Sequence, residues 1–376
     1  RPSQMDIPAS TRPYDSERFS EMRQAVCATA CTRPGGGYSA PISKDEYVTK
    51  PAASTPTSLT REILITLGLL GAMIAGLAGL AAATGWEETR ASLAALSLGQ
   101  VLLLLFLSSW NYLLRGLRWH LYARVQNLPV TVVQTVRHYL GGFAMTVTPG
   151  RVGELIRMRW IMLETGAPLD RAAPLVLIDR AADLAAMGLL IAVAAALSTG
   201  GLSTGLPVAA LSLAAAVVAT RESLARGVID CAWRLVGRWP RLFARSRRAA
   251  AALGPFSAWP VVLPALGLGF VGWLAEGVSF WLLLGWMGAE MTLWTAVGIF
   301  MIATVSGGLT GAPGGLGGAE AAMVALLSLQ GVPLEVSLPA TAVIRLTTLW
   351  YAIAIGLVVF PLATRAAHKG RHATQF

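Results

Sequence analysis

The chain is short of charge and of cysteine for its length of 376 residues, and each shortage excludes a class of protein. Charged residues make up only 13% of the sequence, against about 25% in a soluble globular domain. This deficit excludes an ordinary soluble enzyme and a disordered protein. The three cysteines (Cys27, Cys31 and Cys231) form no even framework, which excludes a secreted disulfide scaffold. We expect all three to be reduced thiols on the cytoplasmic side.

Long apolar runs take the place of the missing charge. Hydrophobic residues make up 55% of the chain, and apolar runs of about 20 residues, enough to cross the bilayer core as a helix, recur along it. The sequence therefore predicts an all-α polytopic membrane protein. We expect six full transmembrane helices, at 63–83, 93–114, 172–197, 206–219, 261–287 and 336–362.

Two further apolar stretches, 130–165 and 293–330, are interrupted in the middle by Pro-Gly. An interrupted helix leaves backbone groups unpaired, which is tolerated at membrane depth only against protein or in a water-filled cavity. We therefore interpret both stretches as re-entrant broken-helix hairpins. The residues assigned to the breaks are Pro149, Gly150 and Gly153 in the first hairpin and Pro313, Gly314, Gly315 and Gly317 in the second.

The two hairpins match each other at an offset of about 165 residues. The match continues downstream, where Pro174 corresponds to Pro339 and Arg180 to Arg345. Three predicted crossings separate the hairpins, and this odd number makes the two units inverted relative to each other. Inverted repeats with discontinuous helices are typical of transporters, whose binding site lies near the bilayer midplane.

Basic residues predict the orientation of the chain. Arginines follow the second crossing (Arg115, Arg118 and Arg124), fill the loop 221–259 and follow the sixth crossing. These loops all fall on one side, which must be the cytoplasm. The net charge of +10 is therefore interpreted as positive-inside loops, and nucleic acid is not an expected partner. The 221–259 loop is either an amphipathic helix on anionic headgroups or a plain loop with apolar anchors.

This orientation gives the predicted domain organisation and location. We expect a multi-pass protein of a bacterial-type cytoplasmic (inner) membrane, with both termini in the cytoplasm. The predicted parts are a flexible N-terminal tail at 1–60, a transmembrane domain at 61–365 with repeat units 130–198 and 293–363, and a C-terminal tail at 366–376.

Charged residues inside the predicted crossings are the first candidates for a site. Arg180 lies about 12 Å into its crossing and reaches Asp183 at i, i+3. Arg345 lies at similar depth from the opposite face. Such residues usually face the bundle interior and serve a substrate pathway, although an ion pair that locks two helices is the alternative. For Asp179 and Asp183, neutralisation of nearby arginines is an equal alternative.

The hairpins and the fifth crossing supply the other candidates. Arg151, Glu154 and Arg157 recur every three residues on one side of a helix and suit a phosphate or carboxylate, unless these arginines only snorkel to the membrane surface. Glu320 has no basic neighbour in sequence, so we predict Arg345 as its partner through space. Glu276 is a candidate to relay protons or to meet a cationic headgroup, or else it is paired with an arginine.

No residue pattern predicts a catalytic group, a metal or a cofactor. The four histidines lack the spacing of zinc ligands. A Walker A motif is absent from the sequence. Any transport is therefore expected to be passive, coupled to an ion or driven by another protein.

Several motifs together resemble one family, the flippase-like family of the lysylphosphatidylglycerol synthase transmembrane region. The segments that carry the resemblance are 115–119 (Arg-Gly-Leu-Arg-Trp), Tyr139 with Gly142 and Phe143, 149–157, 179–183, 313–317, and Glu320 with Arg345. The resemblance covers about 61–365 and adds Arg118 and Tyr139 to the candidate substrate-binding residues. Because the chain ends at Phe376, we expect a stand-alone member without the soluble aminoacyl-transferase domain, which does not synthesise the lipid itself.

The resemblance and the buried charges together favour a lipid translocase that moves or binds a polar-headgroup phospholipid or a lipid-linked precursor. Membrane lipids are the expected partners. A non-transporting membrane partner of a synthase or glycosyltransferase, docked through the 221–259 loop, is the alternative. A membrane-embedded transferase with Glu154 or Asp183 as general base is a third hypothesis. The headgroup, the direction of movement and homo-oligomer formation stay open.

Overall fold

The computed structural model describes residues 68, 71, 74–76, 78–79, 90–91, 94–146, 152–167, 169–198 and 205–373. Across these residues every regular element is a helix, and no strand occurs among them. The predicted tail at 1–60 lies outside the described residues, as does most of the predicted first crossing. The all-helical membrane class is therefore confirmed for the described part of the chain.

The described chain folds into twelve α-helices. The first seven are α1 (Leu98–Val125), α2 (Val132–Gly142), α3 (Val152–Thr165), α4 (Leu169–Leu197), α5 (Gly205–Thr220), α6 (Glu222–Val236) and α7 (Pro240–Ala251). The last five are α8 (Trp259–Trp286), α9 (Leu293–Leu309), α10 (Gly318–Leu329), α11 (Leu334–Arg345) and α12 (Tyr351–Ala373).

Four helical segments are long and apolar enough to cross a membrane, namely Leu98–Val125, Pro174–Leu197, Trp259–Trp286 and Leu334–Lys369. A fifth candidate, the pair Gly205–Val218 and Glu222–Val236, is bent by 99°. The described part of the structure thus supports four to five spans, and the count of six stays a prediction. The last helix also runs on to Ala373, beyond the predicted boundary of the transmembrane domain.

Local sequence explains where the first two helices begin. Ser97 caps α1, because its hydroxyl accepts the backbone N–H of Gln100 while the Gln100 side chain accepts the N–H of Ser97 at 2.8 Å. Thr131 and Gln134 repeat this arrangement at the start of α2. Such capping boxes satisfy two orphan amides of the first turn, so the polar ends of otherwise apolar helices are fixed.

The two predicted hairpins are α2–α3 and α9–α10. In the first, Arg137 of α2 is paired with Glu164 of α3 at 2.6 Å, which ties the two arms together. In the second, the chain turns between α9 and α10 through Gly314, Gly315 and Gly317, which have φ values of 63°, 69° and 81°. Only glycine adopts these angles without strain, so this break requires its glycines.

The arms of the hairpins pack against the spans. The helix α2 packs on α12, α9 packs on α4, and α1 packs along α8. The largest apolar core joins α4, α8 and α9, with Leu190, Phe280 and Phe300 among its buried members. Arms of both predicted hairpins are therefore packed against the spans.

A π turn, Leu346–Trp350, joins α11 to α12. It follows Arg345 directly. The Thr348 carbonyl in this turn accepts the Tyr112 hydroxyl of α1 at 2.5 Å. A side chain thus satisfies a carbonyl where the regular α-helical bonding pattern is interrupted.

Candidate functional site

A line of polar side chains runs along α1 and is buried in the bundle. Ser108, Asn111, Arg115 and Arg118 follow one another at intervals of three or four residues and so share one helix face. Arg115 is 8% exposed and Arg118 is fully buried. This corrects the prediction that both arginines belong to a cytoplasmic loop. The physical reason is that α1 continues to Val125 and that two carboxylates of α4 meet these arginines. Arg124 also belongs to α1, in its last turn, and is exposed.

Asp179 and Asp183 of α4 bind three arginines. Arg118 Nη2 lies 2.6 Å from Oδ1 of each aspartate. Arg115 Nη2 donates to Asp183 Oδ2 at 2.7 Å, and Arg180 Nη2 lies 3.0 Å from Asp179 and 3.3 Å from Asp183. The predicted i, i+3 pair is therefore present, inside a larger network. Removing a shared carboxylate from such a buried network leaves uncompensated charge and costs about 3–5 kcal/mol.

Aromatic side chains complete this network. The Trp273 indole of α8 donates to Asp183 at 3.1 Å, and the Tyr139 hydroxyl of α2 donates to Asp179 at 3.3 Å. The guanidinium of Arg157, from α3, lies 3.9 Å from the centre of the Tyr139 ring. Stacking of a cation on an aromatic face is worth more when both are desolvated, and Arg157 is only 4% exposed.

A second, smaller cluster lies at the break of the second hairpin. Arg345 Nε donates to Glu320 at 2.5 Å, which is the predicted pairing. Its Nη2 donates to the Gly314 carbonyl at 2.8 Å. One guanidinium thus binds both the start of α10 and the backbone of the break, and it takes up a carbonyl that the interrupted helix leaves without a helical partner.

A cavity of about 400 Å³ lies between the two clusters. It is bounded by Gly142–Thr146 at the end of the first hairpin's first arm and by Gly314 and Gly315 at the second break. Its charged lining consists of Arg115, Arg157, Arg180, Arg345, Asp183 and Glu276, and its aromatic lining of Tyr112, Phe143, Trp273 and Phe300. The volume lies toward the lower end of small-molecule pockets.

Glu276 of α8 faces this cavity and is held by an amide. Its Oε1 accepts Nδ2 of Asn111 at 2.6 Å. Glu276 is 4% exposed, and Asn111 is fully buried. The two helices approach closely here, because a Cβ atom at Gly272 would lie 2.5 Å from the Asn111 side chain.

The charges of this region suit an anionic ligand. The described cluster contains five arginines (Arg115, Arg118, Arg157, Arg180 and Arg345) and four carboxylates (Asp179, Asp183, Glu276 and Glu320). Four of the arginines line the cavity, against two of the carboxylates. Guanidinium groups bind phosphate and carboxylate oxygens with charge-assisted hydrogen bonds, so the cavity wall matches a phosphate better than a cation.

The cavity brings together five of the predicted site residues: Arg157, Arg180, Asp183, Glu276 and Arg345. Three more predicted residues do not line the cavity but contact residues that do, namely Arg118, Tyr139 and Glu320. The side chains of Arg151 and Glu154 lie outside the described residues, as do Pro149 and Gly150. Gly153 belongs to α3, and Pro313 begins the turn that contains Gly314 and Gly315.

Sequence reasoning missed Arg115, Asn111 and Trp273 as site residues. Two signals in the sequence point to Asn111 and Arg115. Asn111, Arg115 and Arg118 share a helix face, and Asn111 precedes Glu276 by the same offset that separates Arg180 from Arg345. Within the part of the chain that the structure describes, no group of three or more His, Cys, Asp or Glu is placed to hold a metal.

Long apolar helices and a charged cavity inside the bundle define a multi-pass helical membrane protein with a buried polar site. The family model described as "Lysylphosphatidylglycerol synthase TM region" matches residues 63–356. The chain therefore belongs to this family, and the resemblance seen in the sequence is confirmed. It is also similar to a UPF0104 membrane protein of Methanothermobacter thermautotrophicus, with 31% identity over 101 residues. That match covers 27% of this chain and 30% of the relative's length.

Proposed function

We propose that the protein binds the phosphate-bearing headgroup of a membrane lipid, or of a lipid-linked precursor, in the cavity and moves it between leaflets. The observation that carries this proposal is the placement of four arginines along the wall of a cavity that the break of the second hairpin also bounds. A charged side chain at the bilayer centre costs about 2.5–3.5 kcal/mol on insertion scales. An apolar protein that keeps several of them around a cavity is therefore expected to use them on a charged substrate.

The size of the cavity indicates which part of a lipid it holds. About 400 Å³ accommodates a phosphate with a small polar group. The acyl chains need no such site, because the bilayer already solvates them. We therefore assign the cavity to the headgroup alone, with Arg180 as its most accessible cation at 28% side-chain exposure.

The helix order supports an inverted-repeat transporter. The series α1, α2, α3, α4 has a counterpart in α8, α9, α10 and α11–α12, with a break after the second helix of each series. Each first hairpin arm packs on the last helix of the other series, α2 on α12 and α9 on α4. Such an arrangement favours alternating access, in which one repeat moves against the other around a central site.

Leaflet exchange in liposomes tests this function. Purified protein is reconstituted with a headgroup-labelled phosphatidylglycerol, and a membrane-impermeant quencher is added outside. We expect quenching beyond the outer-leaflet half. Arg180→Gln should slow it about tenfold or more, since a hydrogen bond to a charged group contributes about 1.5–3 kcal/mol. Arg365→Gln removes an exposed arginine of α12 and is expected to leave the rate unchanged.

Two results would contradict the proposal. One is quenching that stops at the outer half for labelled anionic, zwitterionic, cationic and glycosylated lipids, with and without an imposed pH gradient. The other is exchange that Arg180→Gln and Arg365→Gln leave equally fast, which would remove Arg180 from the pathway.

The surface formed by α6 and α7 favours a second candidate function, docking of a lipid-modifying synthase or glycosyltransferase. Leu235 and Trp239 are 82% and 65% exposed, and each directly follows an exposed arginine, Arg234 and Arg238 respectively. The same surface suits anionic headgroups. Binding of purified protein to anionic liposomes, compared with binding of a Leu235→Ser/Trp239→Ser variant, tests the lipid contact. Copurification of a defined synthase that this variant loses would favour docking. We also propose that the protein lies in a bacterial-type inner membrane, with the basic 221–259 loop and both termini in the cytoplasm.

A further inference from the structure

Glu276 differs from the other buried carboxylates of the bundle. Asp179, Asp183 and Glu320 each lie within 3.0 Å of a guanidinium nitrogen. No such ion pair is recorded between Glu276 and any arginine that the structure describes, and its hydrogen-bond partner is the Asn111 amide at 2.6 Å. A buried carboxylate that faces a cavity with an amide in place of a cation has a different task from its neighbours.

The charged and titratable groups around Glu276 come from three of the helices packed on α8. They are Tyr112 and Arg115 of α1, Asp183 of α4 and Arg345 of α11. The helix α9 and the turn Gly254–Ser257, which also contact α8, carry no ionisable side chain. Arg115 is bound to Asp183 and Arg345 to Glu320. Each of the two nearby cations therefore already has a carboxylate partner, whereas Glu276 has an amide partner and no cation in ion-pair contact.

The Asn111 amide is suited to both protonation states of this carboxyl group. Its Nδ2 donates to an ionised carboxylate, whereas its oxygen, after rotation of the amide, accepts the O–H of a carboxylic acid. Asn111 Oδ1 is buried and has no hydrogen-bond partner among the described residues. An arginine in this place would serve only the ionised state, since it has no acceptor atom.

Because a buried carboxylate without a cation in ion-pair contact is costly and a proton removes its charge, we propose that Glu276 is a proton-binding site, which takes up one proton with each anionic headgroup that enters the cavity. This inference rests on the proposed function. It names the coupling ion as the proton and assigns it to one side chain.

The charge balance gives the sign of the coupling. With Glu276 ionised, the five arginines exceed the four carboxylates by one; with Glu276 protonated, the excess is two. An anionic headgroup therefore binds more tightly to the protonated form, and by linkage the bound headgroup favours protonation. Affinity for a phosphate headgroup rises as the pH falls, by at most about tenfold per pH unit for a single proton.

Binding of a short-chain phosphatidylglycerol to the purified full-length protein in detergent, measured from acid to alkaline pH, tests this inference. The wild type is expected to bind more tightly as the pH falls. Glu276→Gln, which imitates the protonated side chain, should bind tightly at every pH. Glu290→Gln removes one carboxylate from an exposed position and should keep the wild-type profile. A Glu276→Gln profile that still follows the wild type would overturn the inference.

Infrared difference spectra between acid and alkaline pH give a second readout that needs neither binding nor transport. We expect the C=O stretching band of a protonated carboxyl group, present in the wild type and in Glu290→Gln and lost in Glu276→Gln. Presence of this band without any lipid binding would leave the proton site standing and contradict the proposed function. Exchange of lipid without this band would support the proposed function and contradict the proton site. A loss in Glu276→Gln of affinity for amine-bearing lipids alone would show that the carboxylate contacts the headgroup, against the proton site.

Discussion

Arg180 and Arg345 correspond to each other in the internal match of the sequence, yet their surroundings differ. Arg180 shares two aspartates with Arg115 and Arg118, and its side chain is 28% exposed. Arg345 has one carboxylate, Glu320, and one carbonyl, and its side chain is 9% exposed. The first cluster is a network with shared partners, whereas the second is a single pair that fixes a break in the backbone.

This difference shows that equivalent positions need not have equivalent roles. In a network, the loss of a peripheral member is shared, while the loss of the central acceptor affects every donor at once. In a single ion pair, the loss of either side chain leaves the other one buried without its partner. We therefore expect the variants below to separate the two clusters by stability and by transport.

The largest effect is expected for Asp183→Asn. Asp183 accepts from Arg115, Arg118 and Trp273, so its neutralisation leaves buried cations without their shared carboxylate. We expect the free energy of unfolding to fall by about 3–5 kcal/mol, measured by unfolding in detergent micelles. The matched control is Asp230→Asn, because Asp230 pairs with Arg247 at 2.7 Å with both side chains about half exposed. Such a surface pair is worth about 1 kcal/mol or less, and an equal loss in the two variants would refute the network.

The second largest effect is expected for Glu320→Gln. The substitution removes the only carboxylate paired with Arg345 in the described structure and should cost about 2–3 kcal/mol. The double variant Glu320→Gln/Arg345→Gln should recover part of this loss, since no buried charge remains. Urea unfolding of both variants checks this, and a double variant less stable than the sum of the two single changes would argue against a single pair.

Substitutions of Tyr139 are expected to have an intermediate effect on stability, and its size depends on whether the aromatic ring is kept. Tyr139→Phe keeps the aromatic face under Arg157 and loses only a hydroxyl 3.3 Å from Asp179. Its cost should stay below about 1 kcal/mol. Tyr139→Leu removes the face and should cost about 2 kcal/mol more. Thermal unfolding of the two variants side by side distinguishes stacking from hydrogen bonding, and equal losses would exclude stacking.

Arg180→Gln is expected to have the smallest effect on stability. Asp179 and Asp183 keep Arg118, and Asp183 also keeps Arg115. The partly exposed Arg180 therefore contributes about 1 kcal/mol or less to folding. The same variant is predicted to slow leaflet exchange, so its melting temperature and its exchange rate should change independently. A melting temperature as low as that of Asp183→Asn would place Arg180 among the structural groups.

The parts of the site that were predictable rest on local spacing or on the internal match. The spacing of Arg180 and Asp183 predicts contact on any helix. Glu320 and Arg345 are 25 residues apart, and the match between the hairpins draws attention to both. The helical membrane class follows from apolar run length alone. Each of these inferences needs only the order of residues along one element or its repeat.

Burial of Arg115 and Arg118 was not predictable in this way. Arginines next to the end of an apolar run are ordinarily loop residues, and the positive-inside pattern counts them so. Their carboxylate partners are 61 to 68 residues away in sequence, and only the packing of α1 on α4 and α8 brings the groups together. The same holds for Asn111 and Glu276, which meet because α1 and α8 approach closely at Gly272.

The π turn after Arg345 sets the orientation of the last span in two separate halves. One extra residue in a turn rotates all that follows by about 100° around the helix axis. The half before the turn directs Arg345 toward the cavity, and the half after it packs on α2 and α3. The extra residue sets the angle between these two helix faces. Deleting Thr347 would merge them into one regular rod and turn Tyr351 away from Ser109, with which it shares a 3.0 Å hydrogen bond. The span therefore has a different helical register on each side of the π turn.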